Sequence, residues 1–207
     1  MAALLKPPHS ADWALRRLRE GNRRFVAGKA RFPTVKKEVL AELAKGQRPY
    51  ATIIGCSDSR VPPELVFDAR FGELFIVRVA GNVISREVMG SIQYAALHLG
   101  TPLFVVLGHE GCGAVEAALA RKFDGVRQRR RITILLNAIL PGLRGLRGLR
   151  ADRRPAARLK AAVEANVRWS MRQLLATPEA KLRKREGVLK LVGAVYELRS
   201  GWVRFLD

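Results

Sequence analysis

The sequence is short of several features, and each shortage excludes a class of protein. No uninterrupted apolar run approaches the roughly 20 residues that a membrane-spanning helix needs. The first residues lack the basic and apolar regions of a signal peptide. Cysteine is scarce, with 2 in 207 residues, so a disulfide framework of a secreted protein is excluded. We therefore predict a cytoplasmic protein with no transmembrane segment.

Acidic residues are also scarce, with 18 Asp and Glu against 38 Lys and Arg, which gives a net charge of +20. Such a charge favours polyanions, anionic membranes and acidic proteins as partners. The charge is densest over 121–155, which contains the near-repeat GLRGLRGLR at 142–150. We predict a basic, irregular segment there with a solvated face, and an anionic or acidic partner remains open as the alternative.

The length and a hydrophobic fraction of 48% suit a globular chain that buries a sizeable core. No linker divides the sequence, so residues 1–207 are predicted to form a single domain. Residues 1–46 are predicted to be an N-terminal helical arm. Its first helix is indicated by a capping Ser10 and apolar residues at helical spacing up to Gly28.

Strand and helix patterns alternate through the rest of the chain. Short β-rich runs predict strands at 50–55, 74–79 and 103–108, and helices are predicted at 86–99, from 112 and at 156–175. The tail has strand patterns at 188–198 and 202–206 around a turn at 199–201. The sequence therefore predicts an α/β fold, with a mainly parallel central β-sheet flanked by helices and a C-terminal antiparallel hairpin.

Metal-binding side chains follow two of these strands. Cys56 comes directly after the first strand, and His109 and Cys112 follow the third. Ligands of parallel sheets collect beyond the carboxyl ends of the strands, so these side chains are expected to meet. Together with Asp58 they supply a complete tetrahedral set for Zn²⁺, which prefers sulfur and nitrogen donors.

These motifs carry a family resemblance. CSDSRVP at 56–62, followed by GHEGCG at 108–113, resembles the β-class carbonic anhydrases. The resemblance extends to the arm at 14–28, to the segment VRVAGN at 77–82 and to the closing residues 193–206. The paired cysteine and histidine motifs are specific to this family, and the terminal similarities support them.

The resemblance implies that Cys56, His109 and Cys112 stay on a zinc ion. Asp58 takes the fourth position in a closed form, or turns to Arg60 and leaves that position to water. Asp58 cannot serve both the metal and a bidentate guanidinium, so the two arrangements compete. The implied activity is reversible hydration of carbon dioxide to bicarbonate and a proton, by attack of a zinc-bound hydroxide.

The family also implies a substrate pocket shared across a homodimer or a dimer of dimers. Its residues in this sequence are the amide of Gln47, the aromatic wall of Phe75 and Tyr94, and the small Gly113. Ile53 stands where members with a bicarbonate-regulated closed site have tryptophan, which favours the open, plant-like type.

Two other functions remain open from the sequence. A hydrolase of carbonyl sulfide or carbon disulfide would use the same zinc scaffold with a reshaped entrance. A basic nucleic-acid-binding protein with structural zinc would account for the charge. However, the arginine run lacks the interleaved aromatic residues that stack on bases.

Overall fold

The computed structural model describes residues 9–31, 37–146 and 154–206, and it contains a five-stranded sheet. The strands in chain order are β1 (Ala51–Gly55), β2 (Leu74–Arg78), β3 (Leu103–His109), β4 (Lys190–Tyr196) and β5 (Val203–Leu206). Their order across the sheet is β2-β1-β3-β4-β5. The neighbours β2, β1, β3 and β4 are parallel, and β5 runs antiparallel to β4. The predicted mainly parallel sheet with a closing antiparallel hairpin is confirmed.

Helices cover both faces of this sheet. They are α1 (Ala11–Val26), α2 (Lys37–Leu43), α3 (Pro63–Val66), α4 (Arg86–Leu97), α5 (Gly113–Phe123), α6 (Arg130–Ile139), α7 (Pro155–Leu175) and α8 (Pro178–Arg185). Two 3₁₀ turns lie at Ala80–Asn82 and Leu140–Leu143. Among the described helices, none is long and apolar enough to cross a bilayer.

Burial on both faces explains why the central strands are apolar throughout. All residues of β1 and β3 are buried. Alternate side chains of these strands enter two separate apolar clusters, one containing Ile54 and Phe104 and the other containing Ile53 and Leu103. A strand enclosed on both faces has no solvent-facing positions, so its sequence loses the alternation of an exposed strand.

A buried amide in α1 contributes to the attachment of the arm to the rest of the domain. The Asn22 side chain in α1 donates to the carbonyls of Val66 and Gly201, and it accepts from the Val203 N–H at 2.9 Å. The preceding Gly21 permits this close approach, because a Cβ there would lie 1.8 Å from the Phe67 carbonyl oxygen. The first arm helix is therefore confirmed and belongs to the core packing.

The basic segment 121–155 is more regular than predicted. Residues 130–139 form α6, whose Leu136 and Ile139 are buried against the domain, and a 3₁₀ turn follows. The prediction of an irregular connection is therefore wrong for 130–143, because burial of Leu136 and Ile139 stabilises the helix despite its arginines. The last four residues of the repeat, 147–150, and the following residues 151–153 lie outside the described residues.

Candidate metal centre

Three buried side chains meet at the carboxyl end of the sheet. Cys56 follows the last residue of β1, His109 is the last residue of β3, and Cys112 directly precedes α5. The two sulfur atoms and a ring nitrogen of His109 all lie within 4.8 Å of one another. The predicted convergence of the two motifs is therefore present, and it arises because parallel neighbours end at the same edge.

The imidazole of His109 is oriented to present one bare nitrogen. Its Nδ1 lies 2.8 Å from the backbone carbonyl oxygen of Glu110, where it donates its proton. That bond leaves Nε2 as the unprotonated nitrogen, and Nε2 is buried without a hydrogen-bond partner in the described structure. A backbone carbonyl that fixes the tautomer in this way is typical of histidine ligands to metals.

The two thiols differ in their readiness to ionise. A hydrogen bond from Cys112 lowers the pKa of Cys56, and the N–H of Gly81 acts in the same direction. The resulting Cys56 thiolate raises the pKa of Cys112. Ionisation of one thiol therefore opposes ionisation of the other, and a divalent cation between the two sulfur atoms would favour both thiolates.

The Gly81 amide that faces Cys56 sits in a turn that needs glycine. Gly81 has φ of 69°, and its N–H donates to Cys56 Sγ at 3.2 Å. The turn is held from α7, where the Asn166 amide donates to the Gly81 carbonyl at 2.8 Å and the Ser170 hydroxyl donates to that of Asn82 at 3.0 Å. Sequence reasoning missed both α7 residues, although polar side chains on the apolar face of a helix are a usable signal.

Asp58 lies beside the three donors but faces Arg60. The Arg60 guanidinium donates from Nε to Oδ1 at 2.9 Å and from Nη2 to Oδ2 at 2.7 Å. These bonds hold the pKa of Asp58 well below its usual range. Asp58 Oδ2 also lies 3.8 Å from His109 Nε2, at the border of the donor cluster. The structure thus has the arrangement in which Asp58 pairs with arginine, and Asp58 is outside the set of three donors.

Arg78 fixes the backbone of the first motif, a role that sequence reasoning did not assign. Its guanidinium donates to the carbonyls of Cys56 at 2.8 Å and Asp58 at 2.6 Å. The sequence offered one signal for this role, which is a single arginine at the end of an apolar strand. With both carbonyls occupied, the loop holds Cys56 and Asp58 at fixed positions relative to β2.

The donor set fits zinc. Two thiols and a bare imidazole nitrogen are soft and borderline ligands, which favour Zn²⁺ over Mg²⁺ or Ca²⁺. The buried Nε2 of His109 has no hydrogen-bond partner, and binding of a cation or a proton would satisfy it. Three protein donors with a carboxylate at the border match a zinc site with one exchangeable position, which is the arrangement of catalytic rather than structural zinc.

The residues predicted to bind substrate are not all near this centre. Gly113 is exposed beside Cys112, and a Cβ there would meet no atom within 4 Å. Phe75 and Tyr94 neighbour each other, with ring centroids 6.2 Å apart, and Gln47 is exposed at the end of the arm. Phe75 pairs with Thr52, four residues before Cys56, so about 13 Å of strand separates it from the cysteine of the same chain.

The fold and the donor cluster define a class: an α/β metalloprotein with a Cys-His-Cys centre at the carboxyl edge of a mainly parallel sheet. The family model "Carbonic anhydrase" matches residues 51–203. The chain is 40% identical over 189 residues to "Carbonic anhydrase 2" of Mycobacterium tuberculosis, covering 91% of this chain and 89% of the relative. The chain therefore belongs to the carbonic anhydrase family, in its β class.

Solved structures agree with this assignment. The β-carbonic anhydrase of Coccomyxa, in complex with acetazolamide, has a TM-score of 0.73 and 26% identity, covering 90% of this chain and 83% of that one. A Sordaria macrospora β-carbonic anhydrase has a TM-score of 0.75 and 24% identity, covering 95% and 96%, and shows the shared fold.

Proposed function

We propose that this protein catalyses the reversible hydration of carbon dioxide to bicarbonate and a proton, with Zn²⁺ as its cofactor. The observation that carries the proposal is the buried Cys56, His109 and Cys112 cluster with an unpartnered Nε2. The substrate follows from the family and from its relatives, which bear the name carbonic anhydrase. Asp58 and Arg60 are the proposed catalytic pair.

The chemistry is divided between the cofactor and this chain. Zn²⁺ bound by the three donors supplies a Lewis acid that lowers the pKa of water toward neutrality, an established property of carbonic anhydrases. Asp58, held ionised by Arg60, can accept a hydrogen bond from the attacking water and orient it. Arg60 also keeps the carboxylate from competing for the metal, since two short hydrogen bonds already occupy both oxygens.

We propose that Gln47, Phe75 and Tyr94 line the site of a second copy, with Gly113 leaving room beside the metal. Tyr94 is 47% exposed and Phe75 lies on the edge strand β2, away from the metal donors of its own chain. Exposed apolar residues near the same edge, Leu65 and Phe71, favour coverage by another chain. The Sordaria macrospora neighbour is described as tetrameric. A homodimer or a dimer of dimers is the proposed assembly.

The Asp58 and Arg60 pairing and the identity of residue 53 support the open, plant-like type. Ile53 is fully buried within β1, where regulated members have tryptophan. An enzyme of this type should lose activity gradually as bicarbonate rises, through ordinary product inhibition. A steep sigmoidal loss in stopped-flow assays at increasing bicarbonate would contradict this assignment.

The deciding experiment measures metal and two activities on the same preparation. We expect about one zinc per chain by elemental analysis, rapid CO₂ hydration by stopped flow, and little sulfide release from carbonyl sulfide or carbon disulfide. Removal of zinc with a chelator should abolish hydration, and added Zn²⁺ should restore it. Dominant sulfide release would transfer the assignment to the hydrolase alternative.

Nucleic-acid binding with structural zinc is the third outcome that the same preparation tests. Metal-loaded protein without hydration activity, but with salt-sensitive binding to DNA, would support it. No feature of the described fold favours this alternative, and the exchangeable position at the zinc site argues against a purely structural metal. The cytoplasmic location stays a prediction from the sequence.

A further inference from the structure

The turn that faces Cys56 contains two consecutive residues in the left-handed backbone region. Gly81 has φ of 69°, and the next residue, Asn82, has φ of 44°. Glycine adopts such angles without strain, whereas a residue with a side chain is strained there, asparagine less than most. Asn82 is only 2% exposed, so contacts with the protein must hold it in this conformation. Strained residues of this kind persist where their surroundings enforce them, and they cluster at functional sites.

The hydroxyl group of Ser170 in α7 holds Asn82 in place. It donates to the Asn82 carbonyl at 3.0 Å, and it accepts from the Asn82 side-chain amide at 3.4 Å. Two hydrogen bonds between the same two residues fix both the backbone and the side chain of Asn82. Ser170 is fully buried, so bulk solvent does not compete for these bonds. A serine inside a helix commonly bonds to a carbonyl of its own helix, whereas this one bonds to a distant segment.

Side chains of α5 and α6 also pack against this turn. A Cβ at Gly81 would lie 2.8 Å from Ile139 Cδ1 and 3.1 Å from the Ala114 Cβ, so both side chains already touch the turn. The turn is thus confined by three helices. From this position the Gly81 N–H donates to Cys56 Sγ at 3.2 Å.

Two residues of α7 share the task of holding the turn. Asn166 donates to the Gly81 carbonyl at 2.8 Å, and Ser170 donates to the next carbonyl, that of Asn82. The two helical residues are four positions apart, which places them on one face of α7. Each left-handed residue therefore has its own bond to the helix. Without these bonds Asn82 would return to a negative φ, and the Gly81 N–H would lose its alignment with Cys56 Sγ.

We propose, on the basis of the proposed zinc site, that Asn82 and Ser170 are positioning residues that set how strongly the Cys56 sulfur donates to the metal. They act through the Gly81 N–H and do not touch the metal or the substrate. A hydrogen bond to a ligating sulfur withdraws electron density from it, and such bonds tune the properties of the bound metal. A metal with a weaker sulfur donor keeps more positive charge, which is the property that Lewis-acid catalysis uses.

The test is the absorption spectrum of the full chain with Co²⁺ in place of zinc, because bonds between thiolates and cobalt absorb light. In Ser170→Ala the sulfur-to-cobalt charge-transfer band should shift to longer wavelength, since a sulfur without its hydrogen bond gives up an electron more easily. Asn82→Ala should shift the band at least as far, because alanine tolerates positive φ less well than asparagine. The double variant should shift it no further than Asn82→Ala, because both residues act through one turn.

Asn82→Gly is the rescue variant. Glycine accepts a positive φ without strain, so the turn should keep its shape and the cobalt spectrum should match that of the wild type. Ser91→Ala is the matched control, because the Ser91 hydroxyl donates to the Glu87 carbonyl in α4 at 3.1 Å, away from the turn. Its spectrum should stay unchanged. Thermal unfolding of every variant reports any general loss of stability separately.

Several results would overturn the proposal. If Ser170→Ala and Asn82→Ala lose stability while the cobalt spectrum stays unchanged, the two residues support packing alone. An equal shift in Ser91→Ala would show that the band does not report on the turn. A shift in Asn82→Gly as large as that in Asn82→Ala would remove the strained backbone from the explanation. Wild-type protein that takes up cobalt without any sulfur-to-metal band would refute thiolate ligation, and with it the proposed zinc site.

Discussion

The two ends of strand β3 carry buried polar groups of opposite character. At the carboxyl end, His109 Nε2 lacks a hydrogen-bond partner but faces two sulfur atoms and a carboxylate held by arginine. At the amino end, the Arg183 guanidinium lacks a partner and faces apolar side chains. One site is a set of electron donors that attracts a cation. The other is a single buried cation without a counterion among the described residues.

The buried polar groups at the two ends of β3 are held in place by different interactions. Around the metal donors, Arg60, Arg78 and Asn166 supply hydrogen bonds that fix the loop of Cys56 and Asp58 and the turn at Gly81. The Arg183 guanidinium itself makes no hydrogen bond in the described structure, and most of the side chains around it are apolar. We infer that hydrogen bonds organise the metal end, whereas the buried guanidinium at the Arg183 end is left uncompensated by the described residues. The following predictions test this contrast, beginning with the largest effect.

Replacement of a metal donor should have the largest effect. In Cys112→Ser the hydroxyl is a poor ligand for zinc, so zinc content should fall sharply and CO₂ hydration by at least about 1,000-fold. Elemental analysis and stopped-flow hydration measure both quantities. The control is Ser59→Ala, an exposed serine of the same loop. Full activity in metal-free Cys112→Ser would refute the metal centre itself.

Removal of the Arg60 guanidinium, which pairs with the Asp58 carboxylate, should have the next largest effect. In Arg60→Ala, Asp58 loses both guanidinium bonds and becomes free to compete for the metal, so hydration near neutral pH should fall roughly 100-fold with zinc retained. Arg60→Lys keeps the charge without the fork and should recover part of the rate. Near-normal turnover in Arg60→Ala would count against the Asp58 and Arg60 pair.

Loosening the support behind Cys56 should have a moderate effect. Asn166→Ala removes the hydrogen bond to the Gly81 carbonyl, so the turn that donates to Cys56 Sγ is less well held. Zinc affinity should fall about 10-fold, as expected for an outer-shell partner. Competition with a chelator of known affinity measures it. The exposed Asn137→Ala is the matched control, and equal affinity in both variants would show that the turn needs no support from α7.

Removal of the unpaired charge should have the smallest effect, with the opposite sign. Arg183→Met should raise the free energy of unfolding by about 1–3 kcal/mol, because an unsatisfied buried charge is replaced by an apolar side chain. Denaturant unfolding measures the change. Arg185→Met should stay within about 0.5 kcal/mol of the wild type. A destabilised Arg183→Met would mean that the guanidinium is already satisfied.

Local patterns were sufficient for the sheet and for the metal donors. Runs such as LFVVLG at 103–108 are apolar without alternation, which indicates a strand buried on both faces, and the structure has β3 there. Because parallel strands end at one edge, the positions of Cys56 and His109 after their strands were enough to predict that they meet. The spacing of the motifs then indicated the chemistry.

Local patterns failed where the neighbours of a residue come from distant parts of the chain. The segment 121–155 was predicted to be irregular from its arginines, yet the packing of Leu136 and Ile139 against the domain stabilises a helix. The basic run KLRKRE at 181–186 gave no sign that one of its arginines is buried. The single-domain organisation and the roles of Gln47, Phe75 and Tyr94 stay predictions.

The sequence by itself determined the strands, most of the described helices around them and the three side chains that meet at the carboxyl edge, because periodicity and residue chemistry are local properties. Only the tertiary structure decided that Asp58 faces Arg60, that Asn166 reaches Gly81, and that Arg183 is enclosed without a partner. Hydrogen bonding and burial of a side chain depend on which distant segments pack around it. That packing is fixed by the whole fold, and the neighbouring residues in the sequence do not specify the partner of such a side chain.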